Sequence, residues 1–309
     1  MKIAVLRETR AGEARVAASP ETVKKFIAAG AGVIVERGAG DGSNFPDYAF
    51  QEAGAAIAAT ASEALAGADL VLKVRAPENG DLKNYRPGQR IAAIVNPYGA
   101  KDALNAAAAA GVELFAMDLM PRITRAQSMD VLSSQSNLAG YKAVIDAAAY
   151  YGRAMPMMMT AAGTIAPAKV FIMGAGVAGL QAIATARRMG AVVSATDVRW
   201  AAKEQVESLG ASFVTVDEAA MKDAETAGGY AKEMSDDFKR RQAEFVSKHI
   251  AKQNIVITTA LIPGRPAPRL VTADMVRAMA PGSVIVDLAV EQGGNVELSR
   301  RGEVIDVGG

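Results

Sequence analysis

The sequence has 309 residues, half of them hydrophobic, with 34 lysine and arginine residues against 33 acidic residues. This length suffices for two domains, and the balanced charge gives no indication of a nucleic-acid-binding surface. The absence of cysteine excludes disulfides and thiolate sites, and the single histidine, His249, excludes histidine clusters, so we expect no metal site. His249 lies in a charged amphipathic stretch, where we expect a solvated helix position.

The N-terminal apolar run is interrupted by Arg7 and Glu8, which is untypical of a signal peptide. We find no run of about 18 apolar residues and expect no transmembrane helix. A role at a membrane would therefore depend on a partner protein.

Short apolar runs alternate with alanine-rich helical patterns along the chain, which is typical of parallel sheets with helical crossovers. In the N-terminal portion, the predicted strands are 3–6, 33–36, 70–74, 91–95 and 114–117. Ser19 followed by Pro20 predicts the start of a helix, and 101–110 predicts another helix. The alanine-rich stretch at 55–61 is expected to be helix or turn.

A long helical pattern at 133–153 predicts a helix that joins two domains, 1–132 and 133–309. After this helix, the predicted strands are 170–173, 192–196, 255–259 and 283–287. Most of them are apolar throughout, as expected for a parallel sheet that is covered on both faces. Segment 217–237 lacks an apolar period and predicts a long loop, either a functional lid or disorder. The sequence thus predicts an α/β fold of two Rossmann-like domains with mostly parallel sheets.

Three glycines stand between a predicted strand and a predicted helix, at the spacing GxGxxG. Gly174 permits a tight turn, Gly176 lets the backbone approach a diphosphate, and Gly179 lets helix and strand pack closely. The helix N-terminus offers N–H groups and partial positive charge to the phosphates. The predicted dinucleotide-binding turn consists of Gly174, Ala175, Gly176, Val177, Ala178 and Gly179.

An acidic residue, Asp197, closes the next predicted strand and follows Gly176 by 197 − 176 = 21 residues. A carboxylate at this position accepts the ribose hydroxyls of the adenosine and repels a 2′-phosphate, which favours NAD over NADP. Val198 and Arg199 complete the predicted adenosine subsite, and Arg199 is the one residue nearby that suits NADP.

Two further segments have alternative interpretations. The polar segment 121–137 would contact a ligand in a crevice between domains, or form a solvated loop in which Ser133 caps the long helix. The predicted strand in 255–268 ends in small residues, which would lie against a cofactor or form a plain connection to a helix. Asp287 and Glu291 follow the next strand and would either approach a nicotinamide or hold loops.

Several motifs are more specific than the glycine turn. They are PRITRAQSMDVLSSQSNLAGY at 121–141, MMTAAGT at 158–164, KEQVESLG at 203–210, GGYAKEM at 228–234 and TTALIPG at 258–264. With these motifs the chain resembles, over essentially its whole length, domain I of proton-translocating NAD(P) transhydrogenases, the component that binds NAD(H). The resemblance implies a flavodoxin- or formate-dehydrogenase-like N-terminal domain and an NAD(H)-binding C-terminal domain.

The resemblance also assigns site residues. The nicotinamide-site residues of the family match Arg122, Gln127, Asp130 and Ser133, and Gln127 is expected to contact the dihydronicotinamide beside NADP(H). Asp197 matches the ligand of the adenosine ribose. Tyr230 and Met234 match a mobile loop that closes over NAD(H). Ala260 and Leu261 are expected at the cofactor as well.

The implied activity is that of a Re/Si-specific, proton-translocating transhydrogenase, in which hydride passes directly between NAD(H) bound here and NADP(H) on a partner domain. The implied partners are an NADP(H)-binding domain, a membrane-spanning proton-channel subunit and a second copy of this chain in a homodimer. The implied location is cytoplasmic, at the cytoplasmic face of the inner membrane through partner subunits and without direct membrane insertion.

Alanine dehydrogenase is a relative with a different reaction. Arg15 and Lys73 match its substrate-carboxylate residues, although a surface-charge role is the alternative for both. Its catalytic histidine falls at Asn96, and imine reduction needs a proton donor at the reacting centre. Asn96 therefore favours transhydrogenation over an alanine dehydrogenase-type oxidoreductase; a non-catalytic NAD-binding module is the third hypothesis. Family members usually continue past the position of Gly309 with a segment that returns to the first domain.

Overall fold

The computed structural model describes residues 1–78, 80–121, 123–223, 235–262 and 264–308. The chain divides into two compact units, Met1–Val131 and Leu132–Gly309. Each unit contains a parallel sheet with helices on its faces. This architecture confirms the predicted α/β fold with two Rossmann-like domains.

The first unit contains a six-stranded parallel sheet. Its strands are β1 (Lys2–Val5), β2 (Gly32–Glu36), β3 (Ala56–Ala58), β4 (Leu70–Arg75), β5 (Arg90–Ile94) and β6 (Glu113–Ala116). Their order is β3-β2-β1-β4-β5-β6, so the direction of strand addition reverses between β1 and β4. The helices are α1 (Pro20–Ala28), α2 (Asp47–Glu52), α3 (Ala61–Leu65) and α4 (Lys101–Ala109).

Most predictions for this unit agree with the structure. Ser19 caps α1 as expected, because its hydroxyl accepts a hydrogen bond from the Thr22 N–H at 3.2 Å. The expectation of helix or turn at 55–61 is wrong for Ala56–Ala58, which forms β3. Alanine has low strand propensity, but this short edge strand is held by pairing with β2, where Ile34 lies opposite Ala56.

The second unit begins within a long helix and continues into a five-stranded parallel sheet. The elements up to the middle of the unit are α5 (Val131–Tyr150), β7 (Met158–Thr160), β8 (Gly163–Ile165), β9 (Lys169–Met173), α6 (Val177–Arg188), β10 (Val192–Thr196), α7 (Ala202–Ser208) and β11 (Ser212–Phe213). The remaining ones are α8 (Glu218–Asp223), α9 (Asp236–Ile250), β12 (Ile255–Thr258), α10 (Ala273–Arg277) and β13 (Val284–Asp287). The sheet order is β11-β10-β9-β12-β13.

Three predictions for the second unit need correction. The long helix starts at Val131, so Ser133 lies in its first turn and does not cap it. Segment 155–168 contains the antiparallel hairpin β7–β8, which was not predicted. The predicted loop at 217–237 includes α8 and the start of α9, while residues 224–234 lie outside the described residues.

The side chains of β9 explain why this strand is apolar at consecutive positions. Val170 and Ile172 belong to the core on one face of the sheet, with residues of α5 and α6. Phe171 and Met173 belong to the core on the other face, with residues of α9 and α10. Helices therefore cover both faces of the sheet, and its carboxyl edge is left as the place for a ligand.

Helix α5 packs against α6 through a glycine. A methyl group in place of the Gly140 hydrogen would lie 2.1 Å from the carbonyl oxygen of Ala178, in the first turn of α6. Beyond this contact, Val144 and Ala147 of α5 are buried in the same core cluster as Ile183 of α6. The backbones of α5 and α6 thus touch where α6 begins.

The lone histidine is not solvated as expected. His249 is half-buried on α9, and its Nε2 lies 2.9 Å from the hydroxyl of Ser194. Its ring contacts Phe171 edge-on and stacks on Phe245. Burial, and secondarily the charge of Lys252, lowers the pKa of His249 from its ordinary value.

Candidate functional site

The glycine turn lies where β9 ends and α6 begins. Gly174 has a φ of +105°, which is unfavourable for residues with a side chain. A methyl group on Gly174 would also lie 2.6 Å from Thr259 Oγ1, in the segment after β12. The Gly174 N–H donates to the Thr196 carbonyl at 2.9 Å. The first glycine is thus required both by the turn itself and by the neighbouring strand end.

The other two glycines differ in what surrounds them. A methyl group on Gly179 would lie 1.8 Å from the Gly174 carbonyl oxygen, so Gly179 is required for helix and turn to pack. A methyl group on Gly176 would meet no protein atom within 4 Å. Gly176 therefore faces open space, which is the room that a diphosphate needs to approach the backbone.

The N-terminus of α6 suits an anion. Its N-cap, Gly176, has no side chain to cap the helix, and the first turn carries no acidic residue. The N–H groups of the first turn, which includes Val177, Ala178 and Gly179, are therefore left for a ligand, and the helix dipole adds partial positive charge. The chain's own residues thus fit the diphosphate of a dinucleotide.

Asp197 follows β10 and is bound to the same turn. Its Oδ2 accepts a hydrogen bond from the Ala175 N–H at 2.7 Å. Its Oδ1 accepts from the Arg199 backbone N–H at 2.8 Å. The Arg199 guanidinium contacts both carboxylate oxygens and also donates to the Ala175 carbonyl at 3.2 Å. Arg199 therefore occupies the side of Asp197 where ribose hydroxyls would bind, and it must move for that contact to form.

The segment after β12 forms the other side of the turn. The Thr259 hydroxyl donates to the Gly174 carbonyl at 3.0 Å. The Ala260 N–H donates to Asn295 Oδ1 at 2.9 Å, so this N–H is already engaged within the chain. Leu261 is 47% exposed, so its side chain is accessible to a ligand. The small residues here thus have a specific packing role beside the turn.

Of the two interpretations for Asp287, the structure supports the one in which it holds loops. Its carboxylate accepts hydrogen bonds from the hydroxyl of Thr258 and from the backbone N–H groups of Ala289 and Val296. Asn295 is a residue that sequence reasoning missed. The signal that could have found it was its position after Gly293 and Gly294, which both have positive φ angles and mark a special turn.

The predicted nicotinamide-site residues are divided between the two units. Gln127 lies exposed in a 3-10 segment, Thr124–Met129, and Asp130 follows it in the first unit. Ser133 lies in the first turn of α5 in the second unit, which also contains the glycine turn. Three of the predicted site residues lie outside the described residues: Arg122, Tyr230 and Met234.

The residues that match the alanine dehydrogenase site are paired with carboxylates of the chain itself. Arg15 contacts Glu13 at 2.6 Å, and Arg75 contacts the same Glu13 at 3.2 Å. Hydrogen bonding to Arg15, above all, lowers the pKa of Glu13 to about 2. Lys73 is buried with its Nζ 3.5 Å from Glu8, so Lys73 is not a surface charge.

Asn96 lies at the carboxyl end of β5. It has a φ of +53°, and its N–H donates to Asp118 at 2.6 Å. An amide side chain at this position has no proton to give or take at neutral pH. The position therefore lacks the acid or base that imine reduction needs.

Metal sites and membrane spans are two other classes of feature that bear on function. No cluster of three histidine or acidic side chains that could hold a metal ion occurs within the described ranges. Among the helices that the structure describes, none is both long and apolar enough to cross a membrane.

The chain is similar to known proteins over nearly its whole length. It matches the family description "Alanine dehydrogenase/PNT, N-terminal domain" at residues 4–139 and "Alanine dehydrogenase/PNT, C-terminal domain" at 143–308. An NAD(P) transhydrogenase subunit alpha of Rhodospirillum rubrum is 57% identical over 310 aligned residues, covering 99% of this chain and 81% of that protein.

A solved structure and a second relative place the chain more finely. A transhydrogenase structure from Sinorhizobium meliloti is 57% identical, with a TM-score of 0.88, and covers 100% of this chain and 84% of its own. An alanine dehydrogenase of Methanococcus maripaludis is 30% identical, covering 96% of this chain and 74% of that protein. The chain belongs to the alanine dehydrogenase/PNT family, and within it the chain is much more similar to transhydrogenase alpha subunits than to this alanine dehydrogenase.

Proposed function

We propose that this chain is the NAD(H)-binding component of a Re/Si-specific, proton-translocating NAD(P) transhydrogenase. Hydride passes directly between NAD(H) bound here and NADP(H) on a partner domain. The observation that carries the proposal is the 57% identity to a transhydrogenase alpha subunit over 99% of the chain. Asn96 supports it, because the alternative reaction of alanine dehydrogenase needs an acid or base at that position.

In this function the chain's residues bind and orient the cofactor. The turn from Gly174 to Gly179 holds the diphosphate, and Asp197 binds the adenosine ribose once Arg199 has left it. Bound NADH supplies the hydride. A transfer between two nicotinamides needs no proton at the reacting carbons, so the contribution of the protein is mainly proximity and orientation.

We assign the nicotinamide end to the residues that match the family motif. These are Arg122, Gln127, Asp130 and Ser133, with Tyr230 and Met234 on a loop that covers the cofactor and Ala260 and Leu261 beside it. We propose that the first unit presents Gln127 to the incoming NADP(H), while the second unit holds the rest of NAD(H).

The test is a hydride-transfer assay with an NADP(H)-binding partner domain. NADPH and an NAD⁺ analogue of distinct absorbance are mixed with this chain, with and without the partner. We expect reduction of the analogue only when both proteins are present. Steady loss of NADH with pyruvate and ammonium, without any partner, would instead establish the alanine dehydrogenase reaction. Binding of NADH with neither reaction would support the non-catalytic module.

The relatives named as subunits imply that the chain works in a complex with other subunits. We propose that these are an NADP(H)-binding domain and a membrane-spanning proton-channel subunit, which hold the chain at the cytoplasmic face of the inner membrane. Cells that produce all three should yield membranes that retain this chain. Retention by membranes that lack the other subunits would contradict the proposal.

We further propose that the chain forms a homodimer through the hairpin β7–β8. No charged residue occurs between Arg153 and Lys169, and the hairpin exposes Met158, Met159 and Ile165 to solvent. Apolar patches of this kind are typical of interaction sites. Light scattering of the eluting protein should give twice the mass of the chain for the wild type and for Tyr48→Lys, but the single mass for Met159→Lys.

A further inference from the structure

Asn295 is a fully buried polar residue beside the segment that follows β12. Its carboxamide accepts a hydrogen bond from the Ala260 N–H at 2.9 Å and donates one to the Ala260 carbonyl at 2.9 Å. It donates a second one to the Pro268 carbonyl at 2.8 Å. Asn295 thus pairs with Ala260 as a neighbouring strand would, although 35 residues separate them.

Asp287 fixes the two ends of this arrangement. Its Oδ1 accepts from the Thr258 hydroxyl at 3.1 Å, at the end of β12. Its Oδ2 accepts from the Val296 N–H at 3.0 Å, next to Asn295. Among the described residues, no buried side-chain nitrogen or oxygen lacks a partner. Buried networks in which every group is satisfied hold a single conformation, because each lost partner leaves a costly unpaired group.

The segment held in this way lies against the glycine turn. The Thr259 N–H donates to the Met173 carbonyl at 2.9 Å, and the Thr259 hydroxyl donates to the Gly174 carbonyl. A methyl group on Gly174 would come within 3.3 Å of the Ala260 nitrogen. Because β9 and β12 are neighbours where the strand order reverses, this is the crevice in which such folds bind dinucleotides.

The segment is on the side of the turn opposite to Asp197, since β10 and β12 flank β9 on its two sides. We infer that Asn295 is a positioning residue of the dinucleotide site: it holds Thr259–Leu261 as the surface on which the nicotinamide half of the cofactor rests. The inference rests on the proposed binding of NAD(H). Asn295 acts through Ala260 and does not itself touch the cofactor.

The test compares two ligands in the full chain. NADH reports on the whole cofactor, and ADP reports on its adenine half alone. Asn295→Asp keeps the acceptor for the Ala260 N–H but replaces the donor to two carbonyl oxygens. We expect this variant to bind NADH about tenfold or more weakly at pH 8, with ADP affinity unchanged within about twofold.

The chain offers a matched control at the other end of β12. Asn254 Oδ1 accepts from the Lys169 N–H at 2.8 Å, so Asn254→Asp makes the same chemical change and keeps the same kind of acceptor. This variant should bind both ligands as the wild type does. If Asn295→Asp fails to fold, Asn295→Ser carries the same comparison with a smaller polar side chain.

A pH profile separates positioning from a general loss of structure. The new carboxyl group would be buried against the carbonyl oxygens of Ala260 and Pro268, which raises its pKa and favours the neutral acid. The neutral acid can donate a hydrogen bond again. Lowering the pH from 8 to 6 should therefore restore some of the NADH affinity of Asn295→Asp, whereas the wild type and Asn254→Asp should not respond in this way.

Each outcome decides the inference. Selective loss of NADH affinity with recovery at lower pH supports it. Equal losses for NADH and ADP would show a structural role only, and unchanged NADH affinity would show that Asn295 does not position the site; either result overturns it. A folded wild type that binds no NADH would overturn the proposed function, and the inference with it, so the two failures are distinguishable.

Discussion

The carboxylate of Asp197 is bound on both oxygens by Arg199, with Nε 3.0 Å from Oδ1 and Nη2 3.1 Å from Oδ2. The Asp197 side chain is 7% exposed, whereas that of Arg199 is 37% exposed. Asp197 is also held by the Ala175 N–H, so it keeps its position if Arg199 swings into solvent. A ribose that binds here exchanges one set of hydrogen bonds to the carboxylate for another.

Asp197→Ala should weaken NADH binding by about tenfold to a hundredfold. The variant loses a charged acceptor for the ribose hydroxyls, and hydrogen bonds to charged groups are worth about 1.5–3 kcal/mol. It should narrow the preference for NADH over NADPH, because the carboxylate no longer repels a 2′-phosphate. Calorimetric titration with both nucleotides measures the two effects. Arg199→Gln serves as the control, and unchanged NADH affinity in Asp197→Ala would remove Asp197 from the site.

Substitutions of two glycines should have opposite consequences. Gly176→Ala should leave the free energy of unfolding within about 0.5 kcal/mol, since the methyl group meets no protein atom within 4 Å, but should weaken NADH binding about tenfold or more. Gly179→Ala should lower the free energy of unfolding by about 2 kcal/mol or more, because its methyl group would lie 1.8 Å from the Gly174 carbonyl.

Urea unfolding and NADH titration of both variants test this contrast. A loss of stability in Gly176→Ala, or tight NADH binding by it, would show that the space at Gly176 is not the place of the diphosphate.

Gln127→Asn should slow partner-dependent hydride transfer by about tenfold or more while changing NADH affinity by less than about threefold. Gln127 is exposed, so shortening its side chain by one methylene should not affect folding. Its proposed role is to orient the nicotinamide, and misplacement of a reacting group costs rate more than affinity. Stopped-flow transfer rates and equilibrium titration of one preparation give the two numbers; equal losses would contradict the role.

His249 should make stability depend on pH. Its pKa is lowered in the folded protein, so the unfolded chain takes up a proton first as the pH falls. The free energy of unfolding should therefore be constant above the ordinary pKa of 6.5 and decrease as the pH falls below it. His249→Gln keeps a hydrogen-bonding group near Ser194 but does not titrate. Urea unfolding between pH 7.5 and 5.5 should show a shallower decrease for this variant, and parallel curves would contradict the assignment.

What could be predicted from the sequence was mostly local. Gly174, Gly176 and Gly179 lie within six residues and carry their constraints in their spacing, and Asp197 ends the very next strand. Such signals depend on backbone geometry that one strand–turn–helix unit imposes, so they can be interpreted without knowing the rest of the fold.

Features that depend on distant partners were missed. Ala56–Ala58 is a strand only because β2 lies beside it, and the bond between Asn295 and Ala260 joins residues 35 positions apart. His249 was expected in solvent because its neighbours along the chain are charged, yet one face of α9 turns Phe245 and His249 toward the sheet. Tertiary context overrides local preference at these positions.

The close contact at Gly140 has a mechanical consequence. Advancing α5 along its axis by a single residue, about 1.5 Å, would bring a side chain into the carbonyl of Ala178, where only a hydrogen fits. Sliding and axial rotation of α5 are thereby blocked. Any force applied to this helix must be carried, as by a rigid lever, to the first turn of α6, the same turn whose amides face the diphosphate.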